Sequence, residues 1–190
     1  MRYAQPQPGL KVLELGCATG ANAGFFLTKK AEYFAIEGSA AAVKSFKSRF
    51  PAFAARIALG DFTVSFPFKG PFDIILDRSA VTHNDHRSIV RTLALAHSAL
   101  REGGYYIGID WFSTRHDEAR RGEIGLDSFT RTYDSGLFAG IGNVHFSDEQ
   151  HMRDLFSAFS IVLLDEKIYE QCEPRPASSR ATWIVVARKV

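Results

Sequence analysis

The chain is poor in cysteine and has no long apolar runs. Its 190 residues include only Cys17 and Cys172. Two cysteines are too few for a disulfide framework, so we expect a reducing, cytoplasmic setting. No stretch approaches the roughly 20 apolar residues of a membrane span, and the opening MRYAQPQPGL lacks the apolar core of a secretory signal. We therefore expect no membrane association.

An excess of charge of one sign is also absent. The 23 basic residues nearly balance the 21 acidic ones, for a formal net charge of +2, and no run of five or more like charges occurs. This composition offers no electrostatic footprint for nucleic acid, so we expect no such partner. Hydrophobic residues make up 46% of the chain. A chain of this length buries roughly 70% of its unfolded surface, which predicts a single domain over residues 1–190.

Short apolar runs alternate with helical patterns as far as residue 110, which is typical of a parallel sheet covered on both faces. A loop or single turn is predicted at 60–71, which contains two prolines and two glycines. The last two apolar runs are joined by a linker with two prolines and no helical pattern, which favours an antiparallel pair. Strands are predicted at 11–15, 32–37, 55–59, 72–77, 105–110, 159–170 and 181–189, and helices at 21–30, 39–50 and 86–100.

Residues 111–146 break this rhythm and are predicted to form an insertion over one face of the sheet. After them, Ser147 and Gln150 predict a capping box that opens a helix reaching about Ala158. The insertion combines stacking faces with bidentate donors, which suit a sugar or an anionic metabolite. The alternative is that its arginines pair with local acids. The residues concerned are Trp111, Phe112, Arg115, His116, Arg120, Arg121, Arg131 and Tyr133.

The strongest chemical signal follows the first strand, where Gly16 and Gly20 predict a tight turn into a helix. Glycines in such a turn let a ligand approach the backbone. The sequence GCATGA does not have the G-x-G-x-x-G spacing of dinucleotide folds, so a nicotinamide oxidoreductase is disfavoured.

At these residues the chain resembles the class I S-adenosylmethionine-dependent methyltransferases. ELGCATG (14–20) resembles the first motif of that family, LGDF (59–62) the third, and LREGGYYIGI (100–109) the step into strand five. The resemblance implies a Rossmann-like three-layer α/β sandwich. Its seven-stranded, mostly parallel sheet would have the order 3-2-1-4-5-7-6, with strand 7 antiparallel. The implied cofactor is S-adenosyl-L-methionine and the implied product is S-adenosyl-L-homocysteine.

The resemblance also implies which residues bind the cofactor. Glu37 would hold the ribose hydroxyls, Asp61 would face the adenine amino group with Phe62 beside the ring, and Asp77 would lie near the methionine end. Cys17 would contribute its backbone rather than a nucleophilic thiol. The full implied set is Glu14, Gly16, Cys17, Ala18, Gly20, Asn22, Glu37, Gly38, Asp61, Phe62, Asp77 and Arg78.

Two features depart from the family pattern. Ala18 replaces a common glycine, which is tolerable if that residue does not need positive φ. Only about ten residues precede the first strand, whereas family members usually carry an N-terminal helix over the cofactor. We therefore expect a more open site or one closed by a second chain in a homodimer.

The polar run DRSAVTHND (77–85) predicts the wall between cofactor and acceptor, with His83 as general base because a neutral imidazole suits proton removal. Thr82 and Asn84 are expected to orient its ring. Asp110, at the end of strand five, would border the acceptor or pair with Arg78 or Arg115, and His145 is the competing base. The alternative is that Asn84 and Asp85 only cap the next helix.

The acceptor is constrained mainly by exclusion. Arg78-Ser79-Ala80 after Asp77 differs from the Pro-Pro-aromatic run of nucleobase amino methyltransferases, which disfavours those substrates. Asp77, Asp85 and His86 supply only part of a metal triad, so no metal is expected. The sequence predicts O- or N-methylation of a small-molecule or glycan acceptor, with an anionic one as an option. The alternative function is a non-catalytic, cofactor-binding regulatory or assembly subunit.

Overall fold

The computed structural model describes residues 8–175 and 178–190. Short 3-10 turns at Pro51–Arg56, Val81–His83 and Asp117–Arg120 connect its longer elements. The strands and helices are β1 (Lys11–Leu15), α1 (Ala23–Thr28), β2 (Glu32–Glu37), α2 (Ala40–Arg49), β3 (Ile57–Leu59), β4 (Phe72–Arg78), α3 (His86–Ala99), β5 (Leu100–Phe112), β6 (Glu123–Ile124), β7 (Thr130–Thr132), β8 (Val144–His145), α4 (Glu149–Leu155), β9 (Ser160–Gln171) and β10 (Ser178–Arg188).

The main sheet has seven strands in the order β3-β2-β1-β4-β5-β10-β9. Strands β1 to β5 pair in parallel, and β10 is antiparallel to both β5 and β9. This confirms the predicted order, because β9 and β10 are the sixth and seventh strands of this sheet along the chain. Leu15 pairs with Ile36 on one side and with Asp77 on the other. The carboxyl ends of β1, β2 and β4 therefore meet at one edge, where open α/β sheets bind ligands.

Two apolar clusters cover the two faces of the sheet. Along β1, Leu13 belongs to one cluster and Val12 to the other, as the two-residue period of a strand requires. The first cluster includes Ile89 of α3, and the second includes Phe46 of α2. The helices thus pack on both faces, which confirms the three-layer sandwich.

The insertion forms a small second sheet, β6-β7-β8, which is antiparallel throughout. It packs over its own core, in which Tyr133, Phe138 and Phe146 are buried. The sequence analysis did not predict these strands, because two of them are only two residues long and show no readable alternation. Trp111 is not an acceptor residue as predicted, since it is 1% exposed within the main core.

The start of α4 differs from the prediction. The N-cap is Asp148, whose carboxylate accepts from the His151 amide at 2.8 Å. Ser147 cannot serve as the cap, because it is still paired in extended conformation with Ser113 and its amide donates to the Phe112 carbonyl. The predicted Ser147 capping box is therefore wrong. Segment 60–71 contains no helix, as predicted. Within the described ranges, no helix is both long and apolar enough to span a bilayer.

Candidate cofactor and acceptor site

The turn after β1 requires glycine at two positions. Gly16 has φ +67° and Gly20 has φ +90°. A Cβ atom at Gly16 would lie 2.2 Å from the Cβ of Ala80, and one at Gly20 would lie 2.6 Å from the ring of Phe50. Glycine is therefore needed both for the backbone conformation and for the close approach of the turn after β4.

Ala18 lies between these glycines and also adopts positive φ, at +47°. Alanine was expected to be tolerable at this position only if the residue did not need positive φ, and this condition is not met. The left-handed region costs an L-residue with a Cβ roughly 1–2 kcal/mol. One compensating contact is the hydrogen bond from the Ala18 amide to Glu37 Oε2, at 2.8 Å.

Glu37 is half-buried at the end of β2. Its second carboxylate oxygen accepts from the Ser39 amide at 2.8 Å. A carboxylate offers about four acceptor positions, and the amides of Ala18 and Ser39 use two of them. Capacity therefore remains for the two hydroxyls of a ribose, so this residue fits the predicted role.

Glu14 supports the turn from inside rather than facing a ligand. It is 2% exposed and accepts hydrogen bonds from the Asn22 amide nitrogen at 2.9 Å and from the Tyr33 hydroxyl. Burial raises the pKa of Glu14, and the hydrogen bonds from Tyr33 and Asn22 oppose that rise. The predicted direct contact of Glu14 with the cofactor is therefore corrected to support of the glycine turn, while Asn22 is partly exposed and its contact with the cofactor stays a prediction. Cys17 is also buried, and burial raises the pKa of its thiol, so the thiol is a poor nucleophile.

Asp61 and Phe62 occupy the loop after β3. Asp61 is exposed, and its Oδ1 accepts from the amide and the hydroxyl of Thr63 at 2.8 and 2.7 Å. This is an Asx-type turn, and it leaves Oδ2 without a hydrogen bond among the described residues. The Phe62 ring lies 3.7 Å from the position of a Gly16 Cβ, so it borders the glycine turn. Gly38 is exposed close by, after β2.

Asp77 is completely enclosed, which corrects its predicted contact with the methionine end of the cofactor. Its Oδ1 accepts from the amides of Ala80 and Val81 at 2.9 and 3.0 Å, and its Oδ2 accepts from the Trp111 indole. Burial raises the pKa of Asp77 to about 7, against the lowering effect of these hydrogen bonds. Its carboxylate therefore fixes the turn after β4.

The next residues bring β4 and β5 together at the surface. Arg78 Nε lies 3.3 Å from Asp110 Oδ2, while Arg115 pairs with Glu166 at 3.1 Å. Of the two predicted partners of Asp110, the structure shows Arg78. Ser79 and Asp110 both have φ +58°. Strained residues of this kind at adjacent strand ends are typical of functional sites.

A cavity of about 680 Å³ opens beside these strand ends. The β5 end and the insertion supply one wall, and the β9–β10 hairpin supplies the other. The hairpin wall is not predictable from the sequence, because its polar residues alternate along ordinary strands and form no motif. The lining residues are His83, Asp110, Phe112, His116, Leu137, Phe138, Ile141, Tyr169, Glu170, Gln171, Ser178, Arg180 and Thr182.

The predicted base His83 lines this cavity and is half-buried. Its Nδ1 lies 3.4 Å from the Asn143 carbonyl oxygen, and the Phe112 ring meets its edge at 5.6 Å between centroids. A carbonyl can only accept, so Nδ1 carries the proton in this contact and Nε2 keeps its lone pair. Burial lowers the pKa of His83, which keeps the imidazole neutral near pH 7.

The two residues expected to orient His83, Thr82 and Asn84, donate hydrogen bonds to backbone carbonyls instead of to its ring. The Thr82 hydroxyl donates to the His145 carbonyl at 2.7 Å, and the Asn84 amide nitrogen donates to the carbonyls of Ala80 and Val81. Thr82 therefore ties the turn to β8, Asn84 stabilises the turn backbone, and the prediction that they set the imidazole tautomer is wrong.

His145 does not belong to the cavity wall. It is 1% exposed in β8, with its Nε2 2.9 Å from His151 Nε2. A base must reach the proton it removes. The prediction of His145 as competing base is therefore wrong for this structure.

The chain is similar to known methyltransferases. Residues 12–104 match the family model of a methyltransferase domain. By this match the chain contains a methyltransferase domain. It is similar to a protein-L-isoaspartate O-methyltransferase of Methylorubrum populi, with 38% identity over 76 residues, which cover 39% of this chain and 36% of that relative. The chain thus matches about a third of that relative's length.

Two solved structures have the same fold. A S-adenosylmethionine-dependent methyltransferase from Methanosarcina mazei superposes with a TM-score of 0.76 at 15% identity, covering 100% of this chain and 95% of the other. The 1,6-didemethyltoxoflavin-N1-methyltransferase of Burkholderia thailandensis, crystallised with 1,6-didemethyltoxoflavin and S-adenosylhomocysteine, gives 0.67 at 19% identity, covering 97% and 72%.

Proposed function

We propose that the chain catalyses transfer of the methyl group of S-adenosylmethionine to an oxygen or nitrogen of a small molecule bound in the 680 Å³ cavity. The observation that carries the proposal is that this one cavity contains both His83, from the turn after β4, and Asp110, from the end of β5. Both strands end at the edge of the sheet where class I methyltransferases hold their cofactor.

The described residues fit the cofactor. When bound, it supplies an electrophilic methyl group on a sulfonium. The remaining acceptor positions of Glu37 suit ribose hydroxyls, and the free Oδ2 of Asp61 suits an adenine amino group. Gly16 lets the turn after β4 pack closely against the glycine turn, and the Phe62 ring lies beside it.

His83 is proposed to remove the acceptor proton. The contact from Nδ1 to the Asn143 carbonyl leaves Nε2 as the basic nitrogen. An alcohol loses its proton as the new bond to carbon forms, and a neutral imidazole accepts it at that stage. Burial keeps the ring uncharged, so it is ready to accept a proton near neutral pH.

The cavity walls favour an acceptor with an apolar or aromatic body. Phe112, Phe138 and Tyr169 supply rings on which a planar molecule or a sugar can stack. Glu170 lies among the polar lining groups and suits hydroxyl or amino donors. The Burkholderia neighbour acts on a small molecule, which favours the same class here.

An anionic acceptor would depend on Arg180, the one arginine among the lining residues. Of the insertion arginines that were expected to serve this purpose, two are engaged locally. Arg121 pairs with Glu118 at 3.0 Å, and Arg131 donates to backbone carbonyls. The structure thus favours their alternative interpretation, as surface residues that serve the insertion itself.

Acceptor turnover tests the proposal. The protein is incubated with S-adenosylmethionine and a panel of hydroxylated or aminated aromatic and sugar-like compounds, and release of S-adenosylhomocysteine is measured. Tyr169→Ala should raise the KM for a true acceptor about tenfold, the scale of one lost stacking contact, and leave cofactor affinity unchanged. Val162→Ala, on the same strand and outside the cavity lining, is the control. Cofactor binding without product from any acceptor would favour the non-catalytic regulatory or assembly role.

A further inference from the structure

Three histidines converge in the structure from separate parts of the chain. His86 begins α3, His145 lies in β8, and His151 lies in α4. Each offers one ring nitrogen, and these three nitrogens lie within 4.8 Å of one another. None of the three lines the acceptor cavity. The cluster is therefore separate from the proposed methyl-transfer site.

Two of the three histidines are buried, and the third, His86, is half-buried. His145 is 1% exposed and His151 is 5% exposed, and their Nε2 atoms are 2.9 Å apart. His86 Nδ1 is buried and has no hydrogen-bond partner among the described residues. Buried polar atoms are normally paired, so an unpartnered nitrogen in this cluster calls for an explanation.

The surroundings set one tautomer of His145. The Thr130 hydroxyl lies 2.9 Å from both carboxylate oxygens of Asp127, to which it donates, and 3.1 Å from His145 Nδ1. That hydroxyl therefore accepts from Nδ1–H, which leaves the Nε2 lone pair directed toward His151. Outer partners of this kind orient metal-binding histidines in proteins.

The same carboxylate also holds a second member of the cluster. Asp127 Oδ2 accepts from the backbone amide of His86 at 2.8 Å. The third ring, that of His151, stacks on Phe129 with centroids 3.6 Å apart and an interplanar angle of 3°. All three histidines are thus held in position by neighbouring residues, as a preformed ligand set requires.

We propose that His86, His145 and His151 form a structural site for a divalent transition-metal ion, of which Zn²⁺ fits best. Three imidazoles with no thiolate suit Zn²⁺, with Co²⁺ as its spectroscopic substitute. In a tetrahedral site with Zn–N bonds of about 2.0–2.1 Å, two ligand nitrogens lie about 3.3 Å apart. The Nε2 atoms of His145 and His151, now 2.9 Å apart, would therefore separate slightly on metal binding. The His86 nitrogen, which lies within 4.8 Å of them, would move closer by up to about 1.5 Å. A cavity of about 970 Å³ lined by His86 and Asp127 provides access and a fourth ligand from water.

Such an ion would tie the insertion to the main sheet. His86 follows the turn that carries His83, and the carbonyl of His145 accepts from Thr82 in that turn. A metal ion bound by the three histidines would therefore hold His83, the proposed base, in position without contacting the substrate. The expectation of no metal rested on His86 together with Asp77 and Asp85, and Asp77 is enclosed elsewhere.

Metal content and cobalt spectroscopy test the site without any cofactor or substrate. The full chain, stripped with a chelator, is titrated with ZnCl₂ and with CoCl₂, and bound metal is measured after gel filtration. Wild type should bind one ion per chain and show the visible absorption of tetrahedral cobalt. His151→Gln and His86→Gln should each weaken binding at least tenfold, and Thr130→Val should weaken it 10- to 100-fold. His97→Gln, on α3 outside the cluster, should change nothing.

Circular dichroism of each variant establishes that it is folded, and His86→Gln, at a half-buried position, is the mildest of them. A wild type that binds less than one ion, or that shows only octahedral cobalt, would overturn the proposal and leave a hydrogen-bonded histidine pair. Equal metal binding by wild type and His151→Gln would do the same. Neither result bears on methyl transfer, because no step of the test uses S-adenosylmethionine.

Discussion

Glu37 accepts a hydrogen bond from the backbone amide of Ala18, with 2.8 Å between Glu37 Oε2 and the amide nitrogen. This contact joins the end of β2 to the glycine turn after β1. It holds the turn at a residue whose φ of +47° is unfavourable for alanine. The carboxylate expected to bind the ribose therefore also shapes the turn beside which the cofactor lies.

The strain at Ala18 predicts a stabilising substitution. Ala18→Gly removes about 1–2 kcal/mol of left-handed strain, and the greater freedom of glycine in the unfolded chain offsets roughly half of that. We expect the free energy of unfolding in urea to rise by up to about 1 kcal/mol. Ala21→Gly, at an exposed neighbour without positive φ, should instead lower it by about 0.5–1 kcal/mol. Equal losses from both variants would show that Ala18 is not strained.

Gly16 should tolerate no side chain. Gly16→Ala places a Cβ 2.2 Å from the Cβ of Ala80, so the two turns must separate. Gly140→Ala is the matched control, because Gly140 has a similar φ of +71° and no atom within 4 Å of the added Cβ. We expect the first variant to unfold about 1–3 kcal/mol more easily than the second and to bind the cofactor at least tenfold more weakly. Similar denaturation midpoints for the two variants would mean that the turns can separate without a loss of stability.

The enclosed carboxyl of Asp77 predicts a pH dependence of stability. Burial raises its pKa in the folded state from 3.8 to about 7, so the folded chain holds a proton that the unfolded chain has lost. Its stabilising contribution is complete below about pH 4 and is lost as the pH rises toward 7. The slope is at most about 1.4 kcal/mol per pH unit.

Asp77→Asn removes this titration. The stability of wild type relative to Asp77→Asn should therefore decline between pH 4 and pH 7 in urea unfolding experiments. A constant difference over that range would show that the hydrogen bonds from Ala80, Val81 and Trp111 keep the carboxylate ionised throughout.

The sequence predicts the fold better than it predicts the roles of the residues in the candidate site. The apolar run Ile74 to Leu76, followed by polar residues, predicted β4, and Gly16 and Gly20 predicted the tight turn after β1. The role of Asp77 could not be foreseen, because the Trp111 indole that encloses it lies 34 residues away. A burial that depends on a distant partner leaves no local pattern.

The histidine cluster illustrates the same limit. His145 and His151 are six residues apart, but one lies in a two-residue strand and the other in α4, so no helical spacing pairs them. His86 reaches them only because Asp127 holds the start of α3 against the insertion. The topology of the insertion decides this contact, and a glycine-rich segment without periodicity does not predict its own topology.

His83 should control the pH dependence of turnover. The neutral ring is the active form, and burial lowers its pKa below the ordinary 6.5. Turnover of a true acceptor should therefore be constant above about pH 6.5 and fall as the ring becomes protonated at lower pH. His83→Gln should lower kcat roughly 100-fold and abolish this acid limb, with cofactor affinity unchanged.

His97→Gln, which removes a half-buried histidine of α3, is the control for His83→Gln and should retain the wild-type profile. A loss of kcat under threefold in His83→Gln would remove His83 from the chemistry. The rate would then come from alignment of the reactants alone.

Calorimetric titration with S-adenosylhomocysteine tests most directly whether the chain uses the crevice at the ends of β1 and β2. We expect one site per chain with a Kd below about 1 mM and binding weaker by roughly 1–3 kcal/mol in Glu37→Ala. Glu32→Ala, which alters an exposed carboxylate at the opposite end of β2, should change nothing. Absence of binding to the folded wild type, or equal affinity in Glu37→Ala, would contradict it.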